Sequence, residues 1–424
     1  MKQGSSPTLL LTNFHSLANT GDAALLEVTL KHLRASFDQP RVILSGNYPA
    51  EDGLTQMVDE VVPSPGALVG SFSGQSPLHQ AASLLRGLLM SRTQGRLPVG
   101  WQRLLSAYQQ ADLVLSVPGN QFFSMGRFGW PLLTSAASLW LAQRQARPLY
   151  ILPQSLGPFQ RSWETWLVRR LYRSARLVFV RDAISLRLAQ GWGLAAKLTL
   201  AVDPTFDLQP AAPAEALAVL QRWGYDTRLP SLGISVLPRM VRTLSSRDLD
   251  SAQAALTGAL GNLAAQGVHL FFFAQSRGPT PREDDRLPER QVMAALPDPA
   301  AAVLVDESLP PALLKACYGR MDAFVASRLH AGLFALGMGV PALFIGYLTK
   351  TRGMLETLGG LDWLIPLEEI NEVVLSDKLS ALWQQRAARR EALLPRLPGL
   401  AETARLPVQR IAEDYQNKAT NPQF

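Results

Sequence analysis

The run Ala326-Ser327-Arg328-Leu329-His330-Ala331-Gly332 brings a guanidinium and an imidazole to the point where an apolar strand turns into a small-residue helix. A helix start presents backbone N–H groups that favour an anion. Arginine adds a planar fork suited to carboxylate or phosphate, while Lys350, beyond the next apolar segment, would act as a point charge. Histidine titrates near neutrality, so His330 could exchange a proton during turnover. A lone histidine is more often structural. The neighbouring Arg328 and Lys350 favour function here, because groups that perturb one another cluster at sites.

A second candidate runs from Asn13 to Ala24, between a strand and a helix. Gly21 lets the backbone approach a ligand closely, and Asp22 stands at the helix start that follows. Asn19, Thr20 and Asp22 are equally well explained as a turn and an N-cap. Three further polar turns follow apolar strands: 118–121 with Asn120, 153–159 with Gln154 and Ser155, and Arg181 with Asp182. Turns at successive strand ends converge along one edge of a parallel sheet, where such folds bind ligands. A cation directly after an apolar strand is costly unless paired, so Asp182 either neutralises Arg181 or caps the helix that begins at 183. Carboxylates are sparse among these motifs and no His/Cys cluster is present, so no metal is expected.

These residues need a scaffold to position them. A chain of 424 residues exceeds the roughly 250 to 300 at which one core stops growing, so two domains are expected. With 47% hydrophobic and 18% charged residues it is globular and not disordered. Strands at 8–14, 41–45, 112–117, 149–154, 177–180 and 198–202 alternate with helices at 21–37, 101–110, 132–145, 162–174 and 183–190. Such alternation implies a parallel sheet covered on both faces. An alanine-rich piece bracketed by prolines, 209–230, reads as a linker with one short helix. Strands then resume at 231–236, 269–274, 302–305, 323–326 and 342–345. The expected fold is α/β, with two doubly wound Rossmann-like domains, 1–208 and 231–370, facing a ligand-binding cleft, and a helical tail at 371–424.

A net charge of +7 attracts anionic partners without naming one. The densest basic segment, 161–187, holds seven arginines against Glu164 and Asp182. It reads either as a solvated helix face whose Trp163 and Trp166 fill the core, or as a surface resting on an anionic bilayer. Cys317 is the only cysteine, which excludes an intramolecular disulfide and suits a reducing compartment. The run Leu9 to Leu11 is too short for a signal peptide, and 331–348 is broken by Gly337, Gly339 and Pro341. A cytoplasmic protein without membrane spans is expected.

With these residues assembled, the chain resembles the polysaccharide pyruvyl transferase family. The resemblance rests on Asn13 with Gly21-Asp22, Gln154-Ser155-x-Gly157-Pro158, Arg181-Asp182-x-x-Ser185, Asp203-Pro204, Ser327-Arg328-x-His330, and Gly339-x-Pro341 with Tyr347 and Lys350. It implies a GT-B-like fold and the transfer of a pyruvyl group from phosphoenolpyruvate to a sugar hydroxyl pair, forming a ketal with no further cofactor. Carried over by position, Arg181, Arg328, His330 and Lys350 are the donor-site candidates, with Arg239 beside the cleft. Asn13, Gly21, Asn120, Gln154 and Ser155 join them as substrate-binding candidates, and His330 with Asp22 as the catalytic pair. Gly119-Asn120 stands where many members have a double glycine, which bears on the acceptor side of that loop. The implied partners are phosphoenolpyruvate and a sugar or lipid-linked saccharide. Peripheral contact with the inner face of the cell membrane stays open, and no nucleic acid is expected. Two rivals remain: a glycosyltransferase of the same fold using a nucleotide sugar, and a non-catalytic glycan-binding homologue.

Overall fold

A computed structural model describes residues 6–71, 76–89, 97–124, 129–236 and 246–420, and every structural statement below concerns these residues. The chain divides into two compact units. The first comprises Met1–Leu17, Leu25–Pro204 and Thr403–Phe424, and the second Ala18–Ala24 and Thr205–Glu402.

The first unit holds strands β1 (Thr8–Phe14), β2 (Arg41–Gly46), β3 (Glu60–Pro63), β4 (Leu113–Ser116), β5 (Gly119–Phe122), β6 (Leu149–Leu156), β7 (Leu177–Val180) and β8 (Leu198–Leu200). Their order is β3-β2-β1-β4-β6-β7-β8, every pair parallel, with β5 added on β6. The helices between them are α1 (Thr20–Ser36), α2 (Leu54–Met57), α3 (Pro65–Leu68), α4 (Pro77–Leu89), α5 (Val99–Gln110), α6 (Trp130–Arg144), α7 (Ser162–Ser174) and α8 (Ala183–Gln190). Successive strand residues face opposite sides of a sheet, and the core divides accordingly. Leu10, Val114 and Ile151 pack with α5, α6 and α7, while Leu9, Leu11, Leu113 and Leu115 pack with α1.

The second unit repeats the plan with β9 (Ser231–Ser235), β10 (His269–Phe273), β11 (Ala302–Val305), β12 (Ala323–Ala326), β13 (Ala342–Gly346) and β14 (Leu364–Pro366). Its order is β11-β10-β9-β12-β13-β14, again all parallel. The helices are α9 (Pro213–Arg222), α10 (Ser246–Ala264), α11 (Arg286–Ala294), α12 (Pro311–Tyr318), α13 (Leu329–Gly337), α14 (Thr349–Leu358) and α15 (Glu372–Leu393), and the chain ends in α16 (Leu397–Thr420). One face of this sheet is aromatic: Tyr318 lies 4.5 Å from Phe324 and 4.9 Å from Phe273, ring centre to ring centre. Gly233 fits beneath Phe324, where a Cβ would come within 2.3 Å of the ring.

Several expectations are revised. The turn read at 118–121 is strand β5, because Gly119, at φ 150°, lets the backbone run alongside Gln154 of β6. The segment read as a linker is built into the second unit: the Lys315 ammonium donates to the carbonyls of Thr205 (3.0 Å) and Leu208 (2.7 Å), and α9 packs on α12. The single cysteine, Cys317, is buried in α12, and burial pushes its thiol up to about 12. The helical tail separates, for α15 packs on α10 of the second unit while the chain from Thr403 onward belongs to the first. Trp163 and Trp166 do not fill the core; they are 39% and 61% exposed. No helix among the described residues is long and apolar enough to cross a membrane.

Candidate functional site

In the second sheet the strand order reverses direction between β9 and β12, and at such a switch point loops part and leave room for a ligand. Ser327 and Arg328 follow β12 there, their amides held by Ser235 at the end of β9 (3.2 and 3.4 Å to the hydroxyl). The Arg328 guanidinium is gripped by the buried Asp285 carboxylate, with Nε 3.1 Å from both oxygens and Nη2 2.6 Å from Oδ1. Nη2 also donates to the Glu283 carbonyl at 3.3 Å. Nη1 makes no hydrogen bond among the described residues, and the side chain keeps 19% exposure. Burial works against this charge, but Asp285, Tyr347 and Asp22 raise the pKa above that of ordinary arginine. Arg328 is therefore a fixed cation.

His330, two residues on, sits in the first turn of α13 and is half-buried. It presses on Gly21: a Cβ there would stand 2.1 Å from Nδ1 and 2.6 Å from Cγ of the imidazole. The segment 18–24 reaches this place through backbone bonds, Thr20 N–H to the Gln275 carbonyl and Arg277 N–H to the Ala18 carbonyl. Asn19 caps the start of α1, its side-chain oxygen accepting from Gly21 N–H at 3.0 Å. The turn-and-cap reading of this segment holds, and what the bare backbone of Gly21 admits here is the His330 side chain. Lys350 is half-buried in the first turn of α14, after β13, the strand beside β12.

Beneath Arg328 lies an acidic pair that the sequence reading missed. Asp285 precedes α11, and Glu289 stands one turn further on, each with no exposed surface. Burial raises the Glu289 pKa well above the usual carboxyl range, and the neighbouring Asp285 adds to the effect. The Val236 amide pulls it back a little, but no hydrogen bond of ordinary geometry reaches either oxygen. Glu289 accordingly favours its neutral form more than an ordinary carboxyl does. Burial also raises Asp285, which Arg328 and the Ser276 amide pull back. No motif marks these carboxylates, because they sit 43 and 39 residues before Arg328, at the start of a helix of unremarkable composition.

The first unit has its own switch point, between β1 and β4. Asn13 ends β1 in the left-handed region (φ 68°), which asparagine tolerates, and its amide donates to Ser116 Oγ of β4 at 3.1 Å. Next to it, His15 approaches Asn47 at 3.3 Å and stacks edge-on against Tyr48. At the end of β6, Gln154 donates to the Val117 carbonyl, while its own side-chain oxygen and that of Asn120 are buried without partners. Arg181 is only 1% exposed and braces these strand ends, donating to Ser155 Oγ (3.0 Å) and Asp203 Oδ2 (2.6 Å). Its ion-pair partner is therefore Asp203 and not the adjacent Asp182. Asp182 caps α8, accepting from the Ser185 amide (2.8 Å) and hydroxyl (2.7 Å). Within the second unit the structure brings together Gly21, Asp22, Arg328 and His330; within the first, Ser155 and Arg181 share one network, and Asn120 and Gln154 flank the β5–β6 pairing. Arg239 lies outside the described residues. Among the described residues no group of three or more His, Cys, Asp and Glu could hold a metal ion.

Two all-parallel α/β domains in succession give the chain the GT-B type of fold. The structure of MnaA from S. aureus with UDP superposes with a TM-score of 0.60 at 12% identity, over 98% of this chain and 96% of that one. UDP-GlcNAc 2-epimerase from Neisseria meningitidis, solved with UDP-GlcNAc, also gives 0.60, at 10% identity over 96% and 99%. These likenesses speak to the fold. The sequence matches the polysaccharide pyruvyl transferase family model over residues 19–349, and the chain belongs to that family of transferases. It is similar to the amylovoran biosynthesis protein AmsJ of Erwinia amylovora, 20% identical over 370 residues, which span 83% of this chain and 86% of AmsJ.

Proposed function

We propose that the protein transfers a pyruvyl group from phosphoenolpyruvate to two hydroxyls of a saccharide, part of a polysaccharide or its precursor, and so forms a pyruvate ketal. The observation that carries this reading is the end of β12, where a fixed guanidinium and an imidazole share one helix start at the switch point of the sheet. A small anion with separate carboxylate and phosphate groups matches such a place. Arg328 would turn Nη1 toward the donor while Asp285 holds the rest of the fork, and Lys350 would add a point charge from the neighbouring strand end. Preorganised charge of this kind lowers the barrier because it need not reorient as the phosphate leaves.

The chemistry requires a proton at the methylene carbon of the donor while a sugar oxygen bonds to the adjacent carbon. The second sugar oxygen then displaces phosphate at that carbon. Of the two hydroxyl protons, one balances the new methyl group and the other leaves on inorganic phosphate. His330 does the proton work, either as acid toward the methylene carbon with Asp22 as the base that takes the sugar proton, or as the base toward the sugar itself, whose proton then passes to the methylene carbon. Asn13, Asn120, Gln154 and Ser155 supply amide and hydroxyl groups of the kind that recognise a saccharide, with Arg181 as their brace. An acceptor carried on a lipid would bring the reaction to the inner face of the cell membrane.

The test is phosphate release from phosphoenolpyruvate in the presence of saccharide acceptors, with acid-labile pyruvate recovered on the product. His330→Ala should lower the rate by about a hundredfold or more, the usual range for a general acid or base, while the melting temperature stays unchanged. Release of a nucleoside diphosphate from a nucleotide sugar instead would assign the site to glycosyl transfer.

A further inference from the structure

Helices α4, α6 and α7 lie side by side on one layer of the first unit, α6 touching both of the others. Their outer side carries apolar surface that the fold does not use. On α4, Leu78, Leu85 and Leu89 are 84%, 59% and 69% exposed, and their spacings of seven and four put them on one stripe. On α7 the exposed stripe is Trp163, Trp166, Arg170 and Arg173, with the Arg170 guanidinium 5.9 Å from the centre of the Trp166 ring.

The charge of this layer is one-sided. The three helices carry Arg86, Arg144, Arg169, Arg170 and Arg173 against one acid, Glu164, and Asp112 and Asp182 lie outside them in sequence. Glu164 is buried against Arg161 and Asp182 is buried as the cap of α8. Asp112 holds the Thr8 amide at the amino ends of the strands. Helices α4 and α6 contain no acidic residue, and the one on α7 is the buried Glu164. Exposed tryptophan and leucine interleaved with arginine suit an interface that is apolar beneath and anionic above. Nucleic acid would match the arginines but not the leucine stripe of α4.

We propose that this face rests on an anionic lipid bilayer, with Trp166, Leu85 and Leu89 entering the interface and Arg170 and Arg173 meeting the lipid phosphates. The assignment is independent of the transfer chemistry and stands or falls without it.

The experiment is cosedimentation of the full chain with vesicles of equal parts phosphatidylglycerol and phosphatidylcholine, beside vesicles of phosphatidylcholine alone. Binding is expected to the first and not the second, and to weaken as salt is raised. Arg170→Gln and Arg173→Gln should each weaken it about fivefold. Trp166→Ala with Leu85→Ser should lower it further at every salt concentration. Arg170, Trp166 and Leu85 are exposed, so the melting temperature of their variants should not move, while Arg173→Gln gives up one bond to the Trp192 carbonyl (3.0 Å) and should remain folded; phosphate release with a soluble acceptor should persist in all. Equal binding to both vesicle types, binding to neither, or variants that bind as the parent would overturn the proposal.

Discussion

A guanidinium held rigidly by a buried carboxylate can be aimed, and the Asp285 fork does this for Arg328. His330 is set differently, by contact with a residue that has no side chain. Gly21→Ala should therefore displace the imidazole together with the helix start that carries it, because the clash reaches Cγ and Cβ of His330 as well as the ring nitrogen. Turnover is expected to fall about a hundredfold, the cost of misplacing the proposed proton carrier by an ångström, while the chain still melts cooperatively. Steady-state kinetics beside a thermal melt distinguishes this from unfolding. Glu289 makes a prediction of the opposite kind, about stability and not rate. Its folded pKa lies above the ordinary value near 4.5, so between the two the folded state binds more protons than the unfolded one. That stability is complete below the ordinary value and is lost as the pH climbs through the interval, by at most about 1.4 kcal/mol per pH unit. Glu289→Gln keeps the neutral shape and removes the share of the dependence that Glu289 contributes. The variant should match the parent near pH 4 and exceed it increasingly above, as read from denaturation midpoints across the pH range.

Elements carry the next level of specificity, since a side chain at a strand end finds partners that its own segment does not contain. The buried pair Arg181–Asp203 joins the ends of β7 and β8, 22 residues apart, whereas Asp182 acts only on its own helix. Removing each carboxylate should therefore cost very different amounts. Asp203→Ala breaks a buried ion pair by removing one partner, at about 3–5 kcal/mol. Asp182→Ala removes a helix cap, at about 1 kcal/mol. Urea denaturation of the two variants tests the order, and equal losses would contradict it. The same contrast explains what the sequence revealed. Unbroken apolar runs located strands such as 177–180 and 323–326, and helical spacing located helices such as 162–174 and 183–190, since each is bounded by a local signal. Strands β3, β5 and β14 escaped, because β5 is polar and β3 and β14 each end in a proline, so none offers the unbroken apolar run of 177–180 or 323–326. The chemical residues at the strand ends were legible because a strand must end in its own segment. Asp203, Asp285 and Glu289 acquired their roles only from tertiary proximity, which a single sequence does not encode locally.

At the scale of the whole molecule the chain passes through the first unit, forms the second, and returns. Helix α16 brings Val408, Ile411 and Ala412 into the same core cluster as Leu9, Leu11 and Leu113 of the first sheet. Asp414 receives the Tyr150 hydroxyl at 2.5 Å and the Arg176 guanidinium at 2.8 Å, and Arg410 donates to Thr199 at 2.6 Å. These bonds close the layer of the first sheet opposite α5, α6 and α7. A chain ending at residue 402 should consequently lose stability in its first unit while its second remains folded. Uncovering the buried Val408 and Ile411 alone exposes side chains worth about 1.5–3 kcal/mol each, before the orphaned Tyr150 and Arg176 are counted. That approaches the whole margin of a typical domain, about 5–15 kcal/mol. Limited proteolysis should then cut the truncated chain within residues 6–204 and spare 246–402. Cleavage spread evenly over both units, or resistance equal to that of the full chain, would show that the returning helix is dispensable.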